Sequence, residues 1–141
     1  MYYLKTEQCF DSAHFLHGYH GKCANIHGHR WKIVVTIKSK ELLNNQQNNG
    51  MIIDFKDLKN DLKKITDDLD HALIIEKGSL SKKLYQALND ENFKIIDLPF
   101  RPTAENLAKY IYELLAKSYD VDCIDVYETP NNCASYRGKD E

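Results

Sequence analysis

Hydrophobic positions recur with two different periods along this chain, and the switches between them mark the elements. From His27 to Ser39 the odd positions are His27, His29, Trp31, Ile33, Val35 and Ile37, while the even ones include Arg30, Lys32, Thr36 and Lys38. Alternation of this kind predicts a strand over 27–39 with one covered face and one wet face. Residues 3–15 read as a preceding strand of mixed polarity, joined to it by a loop over 16–26 that holds Gly18, Gly21 and Asn25. The period then changes. After a polar tract from Glu41 to Gly50, Asp54 stands as an N-cap, and Phe55, Leu58, Leu62, Ile65 and Leu69 follow at helical spacing; this predicts an amphipathic helix over 55–69. A short helix is expected over 79–90 (Leu80, Leu84, Leu88) and a short strand over 93–98. Thr103 caps a third helix with a stripe of Ala104, Leu107, Ala108, Ile111, Leu114 and Leu115, and Cys123–Thr129 and Cys133–Arg137 close the chain as two strands around a turn at Pro130. The order is β-β-α-(α-β)-α-β-β, which predicts an α+β fold of two layers, with two hairpins building an antiparallel sheet and helices on one of its faces.

Composition narrows the class without naming a function. The 141 residues suit a single domain over 1–141, and 43% hydrophobic with 28% charged residues is the balance of a globular protein. A net charge of −2 offers no footprint for nucleic acid. No apolar run is long enough for a membrane span, and Met1–Lys5 has no basic-then-apolar leader pattern, so the cytoplasm is the expected location. Four cysteines without CxxC spacing read as thiols.

The chemistry concentrates in one stretch. Five of the six histidines fall between His14 and His29, and Cys23-Ala24-Asn25-Ile26-His27-Gly28-His29 carries two of them two residues apart. On a strand, such a spacing directs both imidazoles to one side. With His14 at the end of the preceding strand they make a three-histidine set with an open fourth position, the arrangement of catalytic zinc. Cys23 lies a few residues from that set, and as thiolate it is the candidate base. His17 and His20 compete with His14, because positions 14, 17 and 20 would share a helical face; Gly18 and Gly21 argue against a helix there. Asp70-His71 sits where the first long helix ends, and Glu128 shares a strand face with Ile124 and Val126, where a carboxylate needs a donor-rich partner.

Phe10-x-x-Ala13-His14, Cys23-x-x-x-His27-Gly28-His29, Leu69-Asp70-His71, Pro102-Thr103-x-Glu105-Asn106 and Glu128-Thr129 occur in this order. Together they resemble the 6-pyruvoyl-tetrahydropterin synthase superfamily over nearly the whole chain. The three residues between Cys23 and His27 are similar to the spacing of the bacterial 6-carboxytetrahydropterin synthases of queuosine biosynthesis, whereas the animal pyruvoyl enzymes have a longer spacer. The resemblance implies the tunnelling fold (T-fold), with a four-stranded antiparallel sheet per subunit joined into an oligomeric β-barrel of a homo-hexamer or homo-tetramer, and active sites at subunit interfaces. It implies Zn²⁺ on His14, His27 and His29, with 7,8-dihydroneopterin triphosphate as substrate and Cys23, Asp70 and His71 in proton transfer. Glu128 would hold the pterin through two N–H bonds, and Thr103, besides capping its helix, would line the pterin pocket. Lys22, Arg30, Arg101 and Arg137 are the cations available to the triphosphate. The segment from about Ile75 to Leu98 is longer than in compact members.

Two other readings stand beside this one. A sister activity on the same substrate would give 6-pyruvoyl-tetrahydropterin or a hydroxymethyl-dihydropterin. A zinc- or pterin-holding module without turnover would need neither the thiol of Cys23 nor the carboxylate of Glu128.

Overall fold

The computed structural model describes residues 1–138. Its elements are β1 (Tyr2–His14), β2 (His27–Ser39), α1 (Phe55–Leu69), β3 (Leu73–Glu76), α2 (Lys82–Asp90), β4 (Ile95–Leu98), α3 (Ala104–Leu115), β5 (Val121–Thr129) and β6 (Asn132–Arg137), with a single 3₁₀ turn at Lys22–Ala24. They form one sheet in the order β4-β3-β1-β2-β5-β6. The strands β1, β2, β5 and β6 run antiparallel to one another, as the two hairpins require.

The sheet has six strands rather than the four expected, and it is mixed rather than wholly antiparallel. The chain leaves α1, forms β3, crosses through α2 and returns as β4, parallel to β3 over Leu73–Glu76. β3 in turn lies parallel to β1, but only at Ala13 and His14. The run Leu73-Ile74-Ile75 is apolar without alternation, so its sequence does not separate a strand from the tail of a helix. Tertiary pairing decides it, and Ile74 and Ile75 are fully buried. The remainder of the outer side of β1, from Tyr2 to Ser12, carries no neighbouring strand among the described residues.

Asp54 and Thr103 cap their helices as the sequence assigns, and Ser81, not singled out in the sequence, caps α2. Asp54 accepts a hydrogen bond from Lys56 N at 2.9 Å, Ser81 from Leu84 N at 3.2 Å and Thr103 from Asn106 N at 3.2 Å, which satisfies amides that the helix itself leaves without partners. Leu58, Leu62 and Leu69 of α1 and Leu107, Ala108, Ile111 and Leu115 of α3 bury their stripe against Phe10, Trp31, Ile33, Val35, Ile37, Ile124 and Val126. Burial of each such large side chain contributes about 1.5–3 kcal/mol. α2 differs, because none of its residues is buried. Among the described residues no helix is long and apolar enough to cross a membrane.

Leu62→Ala should therefore destabilise the protein by about 2–5 kcal/mol in urea denaturation, whereas Leu84→Ala, on exposed α2, should fall within about 0.5 kcal/mol of the parent. Equal losses at the two positions would contradict the packing described.

Candidate metal centre and adjoining cleft

The hairpin register builds the site. β1 and β2 pair with His14 opposite His27 and Ser12 opposite His29. Cross-strand partners project to the same face, so the three imidazoles converge, with ring centroids 4.5, 5.1 and 4.9 Å apart. Trp31, fully buried, forms the floor, its ring 4.9 Å from His14 and 5.3 Å from His29. Glu128, at the end of β5, closes the group: one ligand atom from each of His14, His27, His29 and Glu128 lies within 4.8 Å of all the others.

Hydrogen bonds from outside the cluster set the protonation of two rings. His14 Nδ1 lies 2.8 Å from the Pro102 carbonyl, and His27 Nδ1 lies 2.7 Å from the Asn25 carbonyl. A carbonyl only accepts, so each Nδ1 carries the proton and each Nε2 presents a lone pair. The buried Nε2 atoms of His14 and His29 have no hydrogen-bond partner. Glu128 Oε1 lies 3.3 and 3.4 Å from them. A buried lone pair such as that of His14 Nε2, facing a carboxylate without a donor, is costly, and a cation relieves that cost. The donor set is nitrogen and oxygen with outer-shell carbonyls on the rings, so these four groups can hold a metal ion. Burial, reinforced by the neighbouring His27, holds the pKa of His14 below its ordinary 6.5, and burial also lowers that of His29. Both rings are thus kept neutral, the form that ligates a metal.

The expected proton-transfer groups are arranged in two places. Asp70 ends α1 in extended conformation and His71 follows at φ 52°. This left-handed turn lets adjacent side chains bond, His71 Nδ1 to Asp70 Oδ2 at 2.8 Å. Asp70 Oδ1 accepts from the Asp11 amide at 2.9 Å, the main reason its carboxyl lies below the usual range. His71 lines a cleft of about 640 Å³ together with His29, Gly28, Arg30, Ala72, Phe93 and Lys94. Cys23, half-buried in the 3₁₀ turn, belongs neither to the acceptor cluster nor to that cleft wall. Within one chain the structure thus joins the metal group to the Asp70–His71 cleft through His29 and leaves the thiol to one side.

Of the other candidates, Thr103 caps α3 and so holds Pro102, whose carbonyl fixes His14. Glu128 stands against the histidines rather than apart from them. His17 and His20 are exposed in the loop and do not join the cluster. Arg30 alone of the four cations considered lines the cleft of His71; Arg101 instead donates to the His17 carbonyl at 2.7 Å. Sequence reasoning missed Ser12, whose hydroxyl donates to the Leu69 carbonyl and accepts from Ala72 N at 3.3 Å, bracketing the Asp70–His71 turn. It also missed Lys94. Neither residue carries a motif that could have flagged it.

A family model described as 6-pyruvoyl tetrahydropterin synthase matches residues 3–139. A Haemophilus influenzae protein named 6-carboxy-5,6,7,8-tetrahydropterin synthase is 39% identical, the alignment covering 97% of this chain and 99% of that one. The Rickettsia bellii protein of the same name is 34% identical over 86% of this chain and 90% of its own. Among solved structures, Caenorhabditis elegans 6-pyruvoyl tetrahydropterin synthase superposes with a TM-score of 0.70 at 23% identity, covering 98% of this chain and 96% of that one; that likeness shows a shared fold.

Because the folded pKa of His14 and His29 lies below the unfolded value, the unfolded chain binds more protons as the solution is acidified. Stability of chelator-treated protein should be fully present above pH 6.5, the ordinary value, and lost as pH falls from there toward the folded value. Melting temperatures read between about pH 8 and 5 check this, and His29→Gln should flatten the dependence. A flat parent profile would contradict neutral burial.

Proposed function

The chain belongs to the 6-pyruvoyl tetrahydropterin synthase family, and on that premise we propose that it converts 7,8-dihydroneopterin triphosphate and water to 6-carboxy-5,6,7,8-tetrahydropterin, acetaldehyde and triphosphate, in queuosine biosynthesis. The observation that carries this reading is the convergence of His14, His27, His29 and Glu128 in a chain aligned almost end to end with a relative of that name. Zinc held on the three imidazoles would supply a Lewis acid that polarises the oxygens of the substrate side chain. His14 and His27 keep their tautomers through Pro102 and Asn25, so their lone pairs need no rearrangement. The Asp70 carboxylate orients the His71 ring through Nδ1, leaving Nε2 to give or take a proton in the cleft beside His29. Cys23 is the complementary base.

The separation of Cys23 from the Asp70–His71 cleft within one chain supports an active site completed by a second subunit, in a homo-oligomer closed into a barrel. The open side of β1 and the terminal strand β6 are free edges of the antiparallel part of the sheet and suit such closure, with β4 ending the sheet on the other side. The substrate is a small pterin triphosphate and the setting is the cytoplasm, with the whole chain acting as one domain.

Glu128 admits two roles. Its strand face and the pterin's 2-amino-pyrimidinone edge favour a bidentate anchor, whereas its approach to His14 and His29 favours a fourth ligand. We assign it the anchor, because a closed four-ligand set leaves no position for substrate.

Zinc-loaded protein given 7,8-dihydroneopterin triphosphate should yield carboxytetrahydropterin and acetaldehyde by mass spectrometry, and Cys23→Ala should lower kcat by about 100-fold or more. A pyruvoyl or hydroxymethyl product would move the reaction within the family, and no consumption by intact oligomer would sink the enzyme reading. Glu128→Gln should keep one zinc per chain and raise KM; loss of zinc would instead make Glu128 a ligand.

A further inference from the structure

We propose that Lys94, carried by the β3-α2-β4 excursion, is a positioning residue for the Asp70–His71 pair; the inference rests on the reaction proposed above. Helix α1 ends with an unusual need. Its last turn contains no basic residue, while Asp67, Asp68 and Asp70 crowd the negative end of its dipole. The missing cation comes from outside the helix. Lys94 Nζ donates to the Asp70 carbonyl at 2.9 Å and to the Asp67 carbonyl at 3.1 Å, bridging the last carbonyls of the helix end; that of Asp67 also accepts from Asp70 N at 3.3 Å. The backbone of Lys94 is fixed too, because its carbonyl accepts from Leu73 N at 2.9 Å.

The two ends of the His71 turn are thereby held from opposite sides. On one side, β1 supplies the Asp11 amide to the Asp70 carboxylate, the Asp11 carbonyl to His71 N at 2.7 Å, and the Ser12 hydroxyl to Leu69 and Ala72. On the other, Lys94 grips the carbonyl of the residue immediately before His71. His71 itself is 78% exposed and sits at φ 52°, in a conformation that costs a non-glycine residue free energy. Little packing therefore fixes it, and hydrogen bonds to its flanks must. Lys94 and His71 also line the same cleft as His29. The excursion thus has a role in the chemistry: it returns the chain as β4 with a cation under the proton-transfer pair.

Lys94→Met removes the two donors and keeps the stem. Expected are a kcat lower by about tenfold with KM within about twofold, and amide exchange at His71 faster by about tenfold, the scale of a lost charge-assisted hydrogen bond. Lys94→Arg should restore both, and Lys83→Met, on α2 away from the turn, should leave both at parent values. In a His71→Ala background Lys94→Met should cost no further kcat, because it acts through that ring. Parent-like kcat and exchange in Lys94→Met would overturn the inference, as would an additive double mutant or exchange raised across the whole sheet. A parent enzyme that leaves the pterin unconsumed would overturn the reaction instead, and the exchange measurement, which needs no substrate, would still judge the grip of Lys94.

Discussion

Three imidazoles and a carboxylate converge at the end of the β1–β2 hairpin, and the rest of the structure is arranged to hold them there. Left alone, lone pairs at these separations repel, and burial denies His14 and His29 the water that would relieve them. The fold supplies the opposing force. Trp31 closes the floor beneath two of the rings and the Pro102 and Asn25 carbonyls forbid two of them to turn or change tautomer. The site is thus rigid and electron-rich before any ion arrives, and the cost of assembling it is met by the core beneath rather than by the site itself.

The same strand end serves the second half of the chemistry. Asp11 and Ser12 hold the turn that presents Asp70 and His71, and His14 follows two residues later in the same β1. The proposed metal ligand His14 and the proposed proton-transfer pair are therefore referenced to one short piece of backbone, paired on one side by β2 and touched on the other by β3. Relative movement between them would require that strand end to break its ladder. This explains why an exposed ring in a strained conformation can still be placed reproducibly.

Much of this was legible in the chain, and what was not has a common cause. The bounds of β2 and α1 follow from clean periods of two and 3.6, and the histidine set follows from a two-residue spacing on a strand. β3 was invisible because three consecutive apolar residues after a helix carry no period; the strand expected over 93–98 is β4, and these two strands make six where the resemblance implied four. The partners of the site were invisible for another reason. Pro102 meets His14 across 88 residues, Leu69 meets Ser12 across 57, and in both cases the acceptor is a backbone carbonyl. Every residue has a carbonyl, so nothing in a side-chain pattern distinguishes the one that matters. Glu128 was recognised as misplaced on an apolar face, yet its approach to the histidines depends on β5 lying beside β2, which only the assembled sheet decides.

The strand that ends in His14 is also the one whose outer side carries no neighbouring strand from Tyr2 to Phe10, short of Asp11, whose amide and carbonyl are taken by Asp70 and His71. Bare amides and carbonyls in a row are adhesive toward another strand, so the strand that carries His14 also presents a free edge. Whatever docks along that rim stiffens the backbone that ends in the imidazole. Were a second copy to add there, the proposed ion affinity and self-association would be thermodynamically linked, and dilution would then loosen the grip on an ion without altering a single ligand.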